Sequence, residues 1–354
     1  MSWIAIAGQE RSWVCPKTFS QPNSHLMPRG SIMIETRLSP DGRPQTLLSY
    51  QRQHPWVGSI SFRAVPGGGI VLVMTQGSEV FHTVLQHDYD ARADVLRITF
   101  VWDSERRFGR VALEKPDSDV VMLQDTPPPP PMLTEDIHTL ARRPQLIEKD
   151  PDVVFFAVSD SVEPVGPMPT LSAQVPVLTS QGYRRIGDLQ CGDLVQTRTS
   201  GQVPVLQRVS RRLPAFGSFR PVRLRAPYFG LERDMVVSPQ QRLVIGGSEV
   251  EYIFGRQAVL IPAHSLVNGF AAVHEDNHMT VRYHNLLLPG HEPVIACGAE
   301  VESLYIGRLR RRKEMLEQSI LANCPKSLLP EHARAGLQTL KSFEAIILAE
   351  ARAA

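Results

Sequence analysis

Residues Pro127 to Pro131 are five consecutive prolines. Each lacks an amide N–H and holds φ near −65°, so the run fits neither a helix interior nor a central strand. Such a run favours polyproline II, a semi-rigid spacer, and is expected to divide the chain. The 354 residues suffice for two or three domains. With 42% hydrophobic and 21% charged residues, each domain can bury a core of ordinary globular composition.

Before the prolines the pattern is antiparallel β. Ile32, Ile34, Thr36 and Leu38 recur at period two, as do Ile60, Phe62 and Ala64. Gly67, Gly68 and Gly69 interrupt before another apolar run at 70–74. Residues 95–102 predict a strand that turns at Asp103-Ser104-Glu105-Arg106 and returns through 108–114. Leu96, Ile98, Phe100 and Trp102 then share one face. Short strands with regular turn signals predict an antiparallel, jelly-roll-like β-sandwich over residues 1–126.

Residues 127–169 read as a proline-rich linker with a short helix. Thr134 is expected to cap that helix and Pro144 to end it. Residues 153–158 read as a short buried strand, and Pro164, Pro167 and Pro169 mark an extended approach to residue 170. After residue 306 the pattern turns helical, over 307–323 and again over 330–353. In the second helix Ala335, Leu337, Leu340, Phe343, Ile346, Ile347 and Ala351 trace one stripe, expected to dock on the chain's own core.

The middle of the chain carries the most specific signals. Thr179, Gly182, Ile186, Asp188, Gly192 and Asp193 fall within 177–195. Later come Val237-Ser238-Pro239-Gln240-Gln241-Arg242-Leu243, then Pro262-Ala263-His264, and finally Tyr283-His284-Asn285-Leu286 followed by His291-Glu292. Together these resemble the Hint domain of hedgehog proteins and inteins, in the bacterial branch where it follows a β-rich module. The resemblance implies an all-β domain over 170–306.

It also implies a chemistry. A nucleophile at the first residue attacks the preceding carbonyl, and a histidine in a Thr-x-x-His motif protonates the departing amide nitrogen. Sulfur suits the first role, because a thiol is partly ionised near neutral pH. A positioned acid contributes about 10²–10⁴ in rate. Carried onto this chain, the nucleophile position is Thr170, with Ser172 as the alternative start, and Thr-x-x-His reads Ser238-Pro239-Gln240-Gln241. A glutamine amide carries no transferable proton at working pH. The Gly-Thr pair that comes after the nucleophile in the family reads Gln174-Val175. The catalytic candidates are therefore Thr170, Ser238, Gln241 and His284, with His284 as the remaining acid–base group, His264 second, and the whole site expected to be inactive.

The first module resembles concanavalin-like and laminin-G-like sandwiches, whose strand ladders end in Trp-Asp as at Trp102-Asp103. That resemblance implies ligand-binding candidates Trp56, Asp88, Asp90 and Trp102 for a glycan, with a core role as the alternative for Trp102. His291-Glu292 opens like a zinc-protease motif but has Ile295 at the second histidine position. His264, His274, His278, His284 and His291 lack ligand spacing, so no metal and no cofactor is expected. Cys15, Cys191, Cys297 and Cys324 are too dispersed for a disulfide framework, and Cys191 reads as a small buried residue.

Net charge of +2 excludes a dedicated nucleic-acid binder, and residues 308–313 read as a solvated basic helix start. No apolar run spans a membrane and the first residues lack a signal peptide. Cytoplasmic residence is the default, with export or assembly into a particle by a non-classical route left open. The expected function is a non-catalytic binding or structural module within a homo- or hetero-oligomeric assembly, with a glycan or protein partner. The alternative is slow self-cleavage at Pro169–Thr170.

Overall fold

The computed structural model describes residues 3–15, 26–39, 41–88, 95–333 and 337–353. The chain forms two compact units, Met1–Val165 and Gly166–Ala354. Both are built mainly from antiparallel sheets, and among the described residues no helix is long and apolar enough to cross a membrane.

In the first unit a seven-stranded sheet and a five-stranded sheet share one core. The hairpin expected from alternation is present as Val95–Asp103 and Phe108–Glu114. Its turn is closed by Asp103 Oδ1, which accepts from Arg106 N at 3.1 Å. Leu96, Ile98, Phe100 and Trp102 all enter the core, where Phe100 meets Phe62 of the other sheet edge-to-face at 6.2 Å. Gly30 makes room for the indole, since a Cβ there would lie 2.6 Å from the Trp102 ring.

The five prolines do not separate domains. Pro131 O accepts from Gln76 Nε2 at 2.9 Å, Pro129 O accepts from Ser104 Oγ at 3.3 Å, and the Pro129 ring covers Gly109. The chain is thereby laid along the hairpin and re-enters the sandwich. Met132–Leu133 pairs with Leu26–Met27, and Ile147–Glu148 pairs with Gln45–Arg52. Val153–Ser159 inserts between Arg29–Arg37 and Trp3–Gly8 in the seven-stranded sheet. An apolar strand buried on both faces needs two neighbours, and the first module supplies them. The segment expected as a linker over 127–169 thus contributes through Val165 to the first unit. The helix is Thr134–Arg142; Thr134 is its first residue, and Leu133 stands at the cap position with no side-chain bond.

The second unit has a six-stranded sheet and a nine-stranded sheet around a core that includes Leu171, Val177, Val195, Val237, Leu243, Ile261 and Leu286. Its C-terminal part is less helical than expected. Leu309–Arg311 is a 3₁₀ turn, Lys313–Glu317 a short helix, and Gln338–Thr339 a strand laid parallel to Ala258–Pro262. The last helix begins only at Ser342, where Glu344 Oε2 accepts from Lys341 N at 2.7 Å. The face that this helix turns to the core is not the expected stripe. Leu340, Ala345 and Leu348 are buried, whereas Phe343, Ile346 and Ile347 are exposed. Ala335 lies outside the described residues.

Candidate functional site

Strand register determines which side chains meet Thr170. The short strand Leu171–Ser172 lies between Met235–Val237 and Thr280–Leu287. Leu171 is opposite Val237 on one side and His284 on the other. In antiparallel pairs, one step back along the first strand is one step forward along each partner. Thr170 therefore falls beside Ser238 and Asn285. The backbone confirms it, since Ser238 N donates to Thr170 O at 2.7 Å and Thr170 N donates to His284 O at 3.2 Å.

Directly opposite residues share a face and successive residues alternate. Asn285 consequently reaches the Thr170 side chain, with Nδ2 donating to Oγ1 at 3.0 Å. His284 points to the other face. There its Nδ1 accepts from Arg208 NH1 at 2.9 Å, while Nε2 is buried with no hydrogen-bond partner. Burial, then the positive charges of Arg208 and Arg282, lower its pKa to about 4, so the ring is neutral at pH 7. The residue that the sequence reading missed is Asn285. No local sequence signal sets the pairing of Leu171 with His284 that brings it there.

Gln241 completes the site. The Thr170 hydroxyl donates to Gln241 Oε1 at 2.5 Å. Gln241 Nε2 donates to Arg242 O at 2.8 Å and Glu302 O at 3.2 Å, which fixes the amide with its oxygen toward Thr170. Asn285 Oδ1 accepts from Leu286 N at 2.8 Å, which orients the second amide in turn. Ser238 comes close through its backbone only; its hydroxyl donates to Gln240 Oε1 at 3.1 Å. Thr170, Ser238, Gln241 and Asn285 are all buried. His264 serves the adjacent turn, its Nδ1 lying 3.2 Å from Pro239 O.

The arrangement is closed and uncharged. Neither amide in contact with the Thr170 hydroxyl accepts a proton near neutral pH, so neither activates that oxygen as a nucleophile. The amide nitrogen of Thr170 already donates to a carbonyl, and no acid among these contacts offers it a proton.

The sandwich candidates do not converge. Trp102 is fully buried, stacks on Phe100 at 5.8 Å and donates from Nε1 to Met27 O at 3.0 Å; it is core. Trp56 is 38% exposed and covers the Arg52 guanidinium at 4.8 Å. Arg52 in turn pairs with buried Asp136, whose pKa is raised by burial against the opposing pull of Arg52. Asp88 is exposed just beyond Glu79–Gln86, and Asp90 lies outside the described residues. Trp56 precedes Gly58, which pairs with Gln76, whereas Asp88 comes after Gln86, which pairs with Gly69. The two side chains thus stand at opposite ends of the strand Gly69–Gln76, on the order of 20 Å apart.

Outside the Thr170 site, Glu292 organises a loop. Burial raises its pKa, but bonds from the Ser200 and Thr199 hydroxyls and Ser200 N outweigh that and hold it at about 2.

A sequence model of the Hint domain matches residues 169–308. No curated protein matches the chain. Among solved structures, the gp41-1 intein is 12% identical, with 38% of this chain and 98% of that chain covered at a TM-score of 0.26. The AceL NrdHF class 3 split intein is 13% identical, covering 39% and 100% at 0.29. A Ruminococcus gnavus IT-sialidase CBM40 bound to α2,3-sialyllactose is 13% identical, covering 38% and 76% at 0.25. At these scores the structural likenesses bear on neither ligand nor activity. The family match and the motif positions agree that a Hint domain occupies residues 169–308, after an N-terminal sandwich.

Proposed function

We propose that the Hint domain of this chain is a scaffold without self-cleaving activity, and that the protein serves as a binding or structural module. The observation that carries this reading is the Thr170 hydroxyl held between two neutral amides, Gln241 Oε1 at 2.5 Å and Asn285 Nδ2 at 3.0 Å. Acyl shift needs a base for the nucleophile and an acid for the leaving nitrogen. Among the described residues, neither is a side-chain hydrogen-bond partner of Thr170, and His284 stands neutral on the other face of its strand.

The test is the intact mass of the purified chain during prolonged incubation, with and without hydroxylamine or a thiol. The expected result is one full-length species throughout. Fragments 1–169 and 170–354, lost in Thr170→Ala, would establish slow self-cleavage instead. A glycan partner for the sandwich rests on Trp56, the one exposed aromatic among its three described candidates. Retention on a glycan array that is lost in Trp56→Ala is the expected support for that partner.

A further inference from the structure

Cys191 and His332 both depart from their expected surroundings. Cys191, expected as a small buried residue, is exposed, and its thiol donates to Leu206 O at 3.1 Å. His332, in a stretch expected as helix, lies in no helix and is buried to 4% exposure.

Both nitrogens of the His332 ring are engaged. Nε2 lies 3.0 Å from Leu288 O, and Nδ1 accepts from Ile306 N at 3.4 Å. A carbonyl only accepts and a backbone N–H only donates, so these partners fix the neutral tautomer with its proton on Nε2. The backbone adds a third tie, His332 N donating to Gly307 O at 3.0 Å. Residues 329–333 are thereby pinned to the end of the strand Thr280–Leu287 and to the start of the segment at Ile306. Leu329, in the same stretch, joins the small core that holds Leu287, Ile306 and Leu309.

A second proton has only Nδ1 to go to, and there it meets the Ile306 N–H, donor against donor. The groups facing the ring from neighbouring segments offer it no counter-charge of its own. They are the His291 ring, stacked at 5.6 Å, and the Tyr305 ring at 6.2 Å. Glu302, beyond them, lies 3.3 Å from His291 Nε2 and already holds Arg242. On the stretch itself Glu331 is held by Arg311, with Arg308 and Arg310 near. Burial outweighs the opposing bond to Leu288 O and lowers the His332 pKa.

We propose that His332 is an acid-released latch for residues 329–333. Uptake of a proton breaks the Ile306 bond, the ring leaves its buried seat for water, and the stretch comes away from Leu288 and Gly307. The docked form needs the neutral ring, whereas the released form takes a proton near the ordinary value of about 6.5, so acid favours release. Above that pH the stretch stays docked. Below it, each unit of pH shifts the balance toward release by up to about tenfold, until the docked ring itself titrates. Release uncovers Leu288 and Ile306, both buried in the docked form.

Amide hydrogen exchange of the full-length chain, followed from about pH 7.5 to about pH 5 and normalised to the intrinsic rate at each pH, reads the latch directly. The Ile306 and His332 amides are expected to lose protection by up to about tenfold per pH unit below about pH 6.5. His332→Gln supplies one donor and one acceptor but does not titrate, so it should abolish this dependence, and His291→Phe should retain it. In the 15N-labelled wild type, the His332 ring and the Ile306 amide should shift over the same pH range. An Ile306 amide indifferent to pH, a dependence that survives in His332→Gln, one abolished by His291→Phe, or ring signals that move without the Ile306 amide would each overturn the proposal.

Discussion

Two polar clusters lie side by side in the second unit, and Glu302 belongs to both. Its backbone oxygen accepts from Gln241 in the Thr170 site, while its carboxylate accepts two 3.1 Å bonds from Arg242 NH1. Beyond it His291 packs against Tyr305 at 4.8 Å and against His332 at 5.6 Å. In the Thr170 cluster the hydroxyl and both amides have partners. In the second cluster both ring nitrogens of His291 are buried without a hydrogen bond, Nε2 lying 3.3 Å from Glu302 Oε1 without the alignment of one. The contrast separates two uses of buried polarity. One region is closed by neutral groups and behaves as architecture; the other buries the two His291 nitrogens without a hydrogen bond, at a cost in solvation.

The largest expected effect therefore falls on the closed cluster. Gln241→Leu keeps the volume but strands the Thr170 donor and the Glu302 carbonyl, while Arg242 O keeps its bond from Glu302 N. It should cost about 4 kcal/mol of unfolding free energy in urea titration. A loss no greater than that of a surface substitution would show that the Gln241 bonds carry no structural role.

Acid comes next. The folded pKa of His284 is about 4 and that of His332 is lowered chiefly by burial, both below the unfolded value near 6.5. Between those limits the unfolded chain binds protons that the folded chain refuses, so stability is complete above pH 6.5 and falls toward pH 4. His284 alone accounts for about 3 kcal/mol of that fall, which should flatten in His284→Gln. The readout is unfolding free energy against pH at constant ionic strength.

A smaller cost, about 2 kcal/mol, is expected for Thr170→Val, which leaves Gln241 Oε1 and Asn285 Nδ2 unsatisfied. The smallest belongs to His291→Phe. This change replaces two nitrogens that make no hydrogen bond by carbon in an aromatic stack, at the loss of the 3.3 Å contact to Glu302, and should alter stability by less than about 1 kcal/mol.

Much of this was legible in the sequence where the signal is local. Period-two alternation located the Val95–Asp103 hairpin strand, and the motif around residues 237–243 placed Gln241 beside Thr170. What escaped depends on long-range pairing. Five prolines read as a spacer because nothing local shows Gln76 and Ser104 binding their carbonyls, or Val153–Ser159 returning between two earlier strands. His284 drew attention as a titratable group, yet strand parity sends it away and brings Asn285 to the hydroxyl. The last helix was placed too early because residues 338–340 pair with a strand instead.

Thr170 and Gln241 hold one another as structure. A double-mutant cycle with Thr170→Val, Gln241→Leu and the combined variant measures that directly from unfolding free energies. The expected coupling is about 1–2 kcal/mol, the double variant being less destabilised than the sum of the two single ones. Additivity to within about 0.5 kcal/mol would contradict it.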